Sequence, residues 1–313
     1  MSGAAGAPTR PAGALRTLLE GIVDYAGLFP PASLDMRTAA ERYAAHRAGS
    51  DRWALGRFVL PAARLAEFGR EAAAVLPRDA GAAPWRLSAL VGPDVEADIA
   101  LVRAFAARHA VPAGRLAMVD SLEGRAATPD EIERLARAAR TLGDDVTLFV
   151  ELPLAGDVAP LVNVVCDAGA RAKVRTGGVT ADAFPPSDAL ARFIAACVRA
   201  GVPFKATAGL HHPLRARYPL TYAPDSPTGT MYGFLNVFVG AALLRTGMPE
   251  AELPALLEEG TPDAIRFDDA GVTWRAWRAD RDTLAAARAG VAQSFGSCSF
   301  EEPMSDLRAL GLL

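Results

Sequence analysis

Two segments, AKVRTGG at 172–178 and PFKATAG at 203–209, hold the only lysines of the chain, Lys173 and Lys205. The other 31 of its 33 basic residues are arginine. A structural ion pair can use either cation, so a chain with this preference has a reason for each lysine it keeps. Arginine stays protonated, whereas a lysine amine can lose its proton when burial or a neighbouring cation lowers its pKa, and can then add to a carbonyl to form a Schiff base. Side chains alternate along a strand, so Lys173 and Arg175 face one way, as do Lys205 and Thr207. Proton transfer beside such an amine requires a carboxylate, and Glu151 and Asp120, at the ends of two earlier apolar runs, are the candidates. The plainer reading makes both lysines core cations paired with Glu151.

Other groups cluster near these segments. Arg175 can grip a carboxylate or a phosphate with two prongs. Thr176, Gly177 and Gly209 follow the lysine strands, the glycines letting backbone approach a ligand. His211 and His212 come directly after the second lysine strand; with Glu151, Asp120 or Asp24 they offer a divalent metal a set of ligands, though their spacing matches no metal signature. Cys298 has no nearby histidine or second cysteine in sequence, which weakens a redox reading. Cys166 and Cys197 read as packing residues on helices.

Short apolar runs recur about every thirty residues with helical patterns between them: RFVLP (57–61), RLSALVG (86–92), RLAMVD (115–120), TLFVELP (147–153) and the two lysine segments. Thr128, Pro129 and Glu131 spell a capping box, and Ser187 and Gly201 bracket a second helix. Strand and helix alternating at this period imply parallel βαβ units. No GxGxxG fingerprint follows the first strand, so the expected fold is a single-domain (β/α)8 barrel rather than a Rossmann sheet. GIVDYAG (21–27) would be its first strand and VAQSFG (291–296) its last. About 210–290 forms an insertion expected over one barrel mouth, with apolar helices at 233–247 and 250–259 and a hairpin turning at Asp269, Ala270 and Gly271.

The 313 residues are 51% hydrophobic with a formal charge of −3 and no basic block, which points away from nucleic acid and membrane surfaces and towards a small-molecule partner. No apolar stretch reaches the roughly 20 residues that span a bilayer, so a cytoplasmic location is expected. A homo-oligomer is left open, and no cofactor is called for.

The order K-x-x-T-G (Lys173 to Gly177), F-K with glycine four residues on (Phe204, Lys205, Gly209), and F-G-x-x-S (Phe295, Gly296, Ser299) resembles the class I deoxyribose-phosphate aldolases. The resemblance implies a (β/α)8 barrel, with Lys173 as Schiff-base nucleophile and Lys205 as the cation that lowers its pKa. It further implies Gly296, Ser297 and Ser299 as an anion-binding turn, Asp24 on the first strand, and Asp120 as the counterpart of the strand-four aspartate. The expected activity is carbon–carbon lyase chemistry on a small phosphorylated or carboxylated carbonyl compound. The alternatives are a metal-dependent lyase or hydrolase using His211 and His212, and a non-catalytic binding barrel.

Overall fold

The computed structural model describes residues 12–79, 81–111 and 114–313. Eight parallel strands close a barrel in chain order: β1 (Val23–Tyr25), β2 (Leu55–Pro61), β3 (Trp85–Leu90), β4 (Ala117–Arg125), β5 (Thr147–Glu151), β6 (Arg171–Arg175), β7 (Phe204–Thr207) and β8 (Ala292–Ser297), with β8 paired back to β1. This is a TIM-type α/β barrel. Helices Met36–Ala48, Leu65–Glu71, Val95–His109, Pro129–Arg140, Ala159–Asp167 and Ser187–Ala200 follow β1 to β6 in turn. The outward strand residues Phe58, Leu60, Leu87 and Leu122 are buried in a continuous apolar core. Strands covered on both faces need no polar alternation, which is why their sequences read as short apolar runs.

Local signals place the helices. Thr128 accepts from the backbone N–H of Glu131 and the Glu131 carboxylate accepts from that of Thr128, completing the capping box. Gly201 ends the Ser187–Ala200 helix in the left-handed region. Ser187 makes no cap there; its hydroxyl donates to Glu258 instead. Cys197 is buried as expected, but Cys166 is exposed.

The insertion before β8 divides among three places. A hairpin, Ala216–Pro219 with Thr228–Met231, lies beside the mouth formed by the strands' carboxyl ends. Helix Phe234–Leu244 is apolar on all sides and joins the outer layer, burying all but its last residue. Ile265–Phe267, Gly271–Trp274 and Trp277–Asp280 form a small antiparallel sheet packed on Gly13–Leu19, the helix that leads into β1. Coverage of the mouth therefore narrows to the hairpin. No helix among the described residues is long and apolar enough to cross a membrane.

One irregularity matters for the site. Leu87 of β3 pairs with Val119 of β4, but Ser88 pairs with Ser121, so Asp120 is an extra residue in the ladder. Beyond it, Ser121, Glu123 and Arg125 share the face that Ser88 presents to the barrel interior.

Candidate active site

Register sets a row of polar side chains across the upper barrel: Arg125 stands opposite Glu151, Glu151 opposite Lys173, Lys173 opposite Lys205, and Lys205 opposite Ser294. Glu123 links the two lysines. One of its oxygens lies 2.8 Å from Lys173 Nζ and the other accepts from Lys205 Nζ at 2.6 Å. Lys205 also donates to Asp24 at 2.6 Å, and Asp24 in turn accepts from Ser294 Oγ at 2.7 Å and from the Arg57 backbone N–H at 2.8 Å. Ser88 Oγ lies 2.6 Å from Glu123, completing the base of the network. On its other side Lys173 meets Glu151 at 2.8 Å, and Glu151 also faces the Nε atoms of Arg125 at 3.1 Å and Arg175 at 3.3 Å.

These contacts fix the charges. Burial pushes the Glu123 carboxyl up, but the two ammonium groups outweigh it and hold the group well below its ordinary value. For Glu151 burial likewise acts upward and is overcome by Lys173, then Arg175 and Arg125, so its pKa is lowered. Lys205 goes the opposite way for the same reason: burial acts downward, and Asp24 and Glu123 raise it, keeping it an ammonium.

Above the network opens a cavity of about 810 Å³ at the carboxyl ends of the strands, where active sites of such barrels lie. Lys173, Lys205, Glu123 and Glu151 line it, with Arg125, Arg175, Thr207, His211 and Gly296. Lys173, Lys205, Glu151 and Asp24 are thus brought together as expected, and Arg175, Thr207, His211 and Gly296 stand around them.

Other expected residues are used elsewhere. Asp120 does not join the lysines; it binds Arg57 in two prongs at 2.7 and 3.1 Å and Arg86 at 2.5 Å. On the same strand it is Glu123 that reaches both lysines. Thr176 Oγ1 donates to the Ala208 carbonyl at 2.7 Å, tying the tops of β6 and β7. Gly177 and Gly209 make room for a neighbour rather than a ligand: a Cβ on Gly177 would fall 2.3 Å from the Phe184 ring, and one on Gly209 2.8 Å from the Gly177 Cα. Ser297 Oγ donates to the Ser299 carbonyl at 2.6 Å, and Ser299 Oγ lies 3.3 Å from Glu301, so the expected anion-binding turn spends its hydroxyls internally.

His211 and His212 part company. His212 pairs with Asp306 at 2.6 Å and stacks on Tyr218. His211 Nδ1 lies 3.0 Å from Ser297 Oγ, whose proton is already given to Ser299, so Nδ1 carries the hydrogen and Nε2 is the free acceptor. Burial, then His212, lowers its pKa to about 4, which keeps the imidazole neutral. Among the described residues no three His, Cys, Asp or Glu side chains are grouped to hold a metal ion.

Glu123 carries a detectable signal in the sequence: the alternation Ser121, Glu123, Arg125 continues past Asp120. In comparison with known proteins, no family model matches the chain, and no curated protein does.

Proposed function

We propose that the protein is a carbon–carbon lyase of the class I, Schiff-base type, acting on a small carbonyl compound with Lys173 as its nucleophile. The observation that carries this reading is that the chain's only two lysines stand in register, share Glu123, and line the floor of a cavity at the catalytic end of the barrel. The resemblance to the deoxyribose-phosphate aldolases agrees with the barrel and with the lysine pair. Purely structural pairing explains the arrangement less well. Five ionised groups withdrawn from water cost desolvation that their mutual attraction only roughly offsets, and apolar residues of similar size serve stability as well or better.

In the proposed cycle Glu151 takes a proton from the Lys173 ammonium, 2.8 Å away. The neutral amine adds to the substrate carbonyl carbon, and a proton passes from nitrogen to oxygen. Protonated Glu151 then gives its proton to the departing hydroxyl, so one water leaves and an iminium remains. Glu151 next removes the proton of a hydroxyl on the second carbon from the iminium carbon. The O–H electrons form the product aldehyde's carbonyl while the carbon–carbon bonding pair moves towards nitrogen as an enamine. Proton return to that carbon and addition of water release the second product and restore Lys173. Lys205 stays charged throughout, a fixed ammonium in register with the reacting amine.

Borohydride treatment with a panel of aldehydes, ketones and 2-oxo acids, followed by peptide mass spectrometry, tests the reading. A reduced adduct on Lys173 that is absent in Lys173→Arg supports it; its absence across the panel overturns it.

A further inference from the structure

The cavity has two unlike halves, and together they describe a substrate. Resting on the Schiff-base reading above, we infer that this protein acts on an amphipathic carbonyl compound: one that carries a carboxylate, held by Arg125 and Arg175, and an apolar group seated between β3 and the Pro129–Arg140 helix.

The charged half is built around Glu151. Arg125 and Arg175 come from the strands on either side of β5, and each spends its Nε on the same oxygen, Glu151 Oε1. Their outer Nη groups hold no acceptor among the described residues, and both side chains line the cavity. Two such guanidinium edges suit a planar, two-oxygen anion. The charge of the lining agrees with an anionic ligand: Lys173, Lys205, Arg125, Arg134 and Arg175 supply five positive charges against three from Glu123, Glu131 and Glu151. The turn where a phosphate is expected by resemblance offers little: its hydroxyls are spent, and Glu301 and Glu302 begin the helix that follows.

The other half is apolar. Leu90 and Val91 at the end of β3, Val95 in the helix after it and Leu135 in the Pro129–Arg140 helix face the same cavity. Gly124 keeps this wall closed up: a Cβ there would fall 2.8 Å from Leu135 and 3.1 Å from Val91. The cavity far exceeds what a three-carbon acid fills, and small-ligand sites combine such apolar walls with a few placed charges. Lys173 lines the same cavity as both halves.

The test uses the full-length protein and five probes: phenylpyruvate, pyruvate, benzylacetone (no carboxylate), glyceraldehyde phosphate, and phenylpropionate (no carbonyl). Phenylpyruvate is expected to give the Lys173 borohydride adduct at the lowest concentration, and phenylpropionate to raise the melting temperature and compete with it. Arg125→Gln and Arg175→Gln should each raise the half-saturating phenylpyruvate concentration about tenfold or more, the scale of a charge-assisted hydrogen bond, and by a clearly larger factor than they raise that for benzylacetone. Leu135→Asn should weaken phenylpyruvate by a clearly larger factor than pyruvate. The inference is overturned if glyceraldehyde phosphate or benzylacetone traps at a lower concentration than phenylpyruvate, or if the arginine variants treat charged and uncharged probes alike. Phenylpropionate separates this from the reading beneath it. Arginine-dependent binding without any adduct sinks the Schiff base and keeps the ligand class, while adducts without discrimination do the reverse.

Discussion

Lys173 and Lys205 are register partners on adjacent strands and share one carboxylate, yet they differ in what surrounds them. Lys205 is 1% exposed, makes well-aligned hydrogen bonds to two carboxylates, and lies 5.4 Å from the centre of the Phe149 ring. Lys173 is 4% exposed and touches Glu123 and Glu151 at ion-pair distance, and Glu151 has two other cations to turn to. One lysine is locked by its partners; the other can leave them. The same residue type thus serves as a fixed charge in one place and as a candidate reactant in the next.

The sharpest way to break this contrast is to exchange roles. Lys173→Arg should abolish adduct formation and cut kcat by about ten-thousandfold or more, the scale of losing a nucleophile, as read by steady-state assay on the substrate found by trapping. Next comes stability, where the order reverses. Lys205→Met leaves Asp24, fully buried, without its ammonium partner and takes one of two from Glu123, and should cost about 3–5 kcal/mol by urea denaturation. Lys173→Met should cost clearly less, because Glu123 keeps Lys205 and Glu151 keeps Arg125 and Arg175. The two glutamates extend the comparison. Glu151→Gln removes the proposed proton carrier beside Lys173 and should lower kcat by about a hundredfold or more. Glu123→Gln should chiefly destabilise the fold.

A smaller effect concerns pH. The Glu123 and Glu151 carboxyls are lowered in the folded protein, so the stability they contribute is present above the unfolded carboxylate value of about 4.3 and is lost as pH falls through the lower folded values. Lys205 is raised, so its contribution is complete below the unfolded lysine value of about 10.4 and is lost as pH rises through its folded value. Urea denaturation across pH should show a plateau between these limits, and Glu123→Gln should flatten the acid side. The smallest effect on catalysis is expected for Asp120→Asn. That residue serves Arg57 and Arg86, so kcat should hold within about twofold, a change beneath the catalytic scale of a proton-transfer group.

The barrel was legible because its strands are apolar on both faces and recur between capped helices. The lysine pair was legible because it is the exception to the chain's own arginine usage. What the sequence does not display has specific causes. Strand β4 reads as ending at Asp120, since SLEGR is polar, but it continues to Arg125. The extra residue at Asp120 shifts the alternation by one, so simple parity from Asp120 turns Glu123 away from the lysines it joins. Gly177 and Gly209 answer to Phe184, a ring from a segment whose approach no local pattern foretells. The hydroxyls of Ser297 and Ser299 read as free donors in sequence and are taken up within their own turn.

The arginine-rich surface has a chemical consequence of its own. Aldehydes and other carbonyl compounds condense with primary amines wherever they meet them, and most proteins scatter such amines over their exterior. Here, apart from an α-amino group, the side-chain amines number two, and both are buried and line the same cavity. The exterior therefore presents reactive carbonyl compounds with guanidinium groups rather than amines, and the chain's side-chain amines are confined to the floor of that cavity.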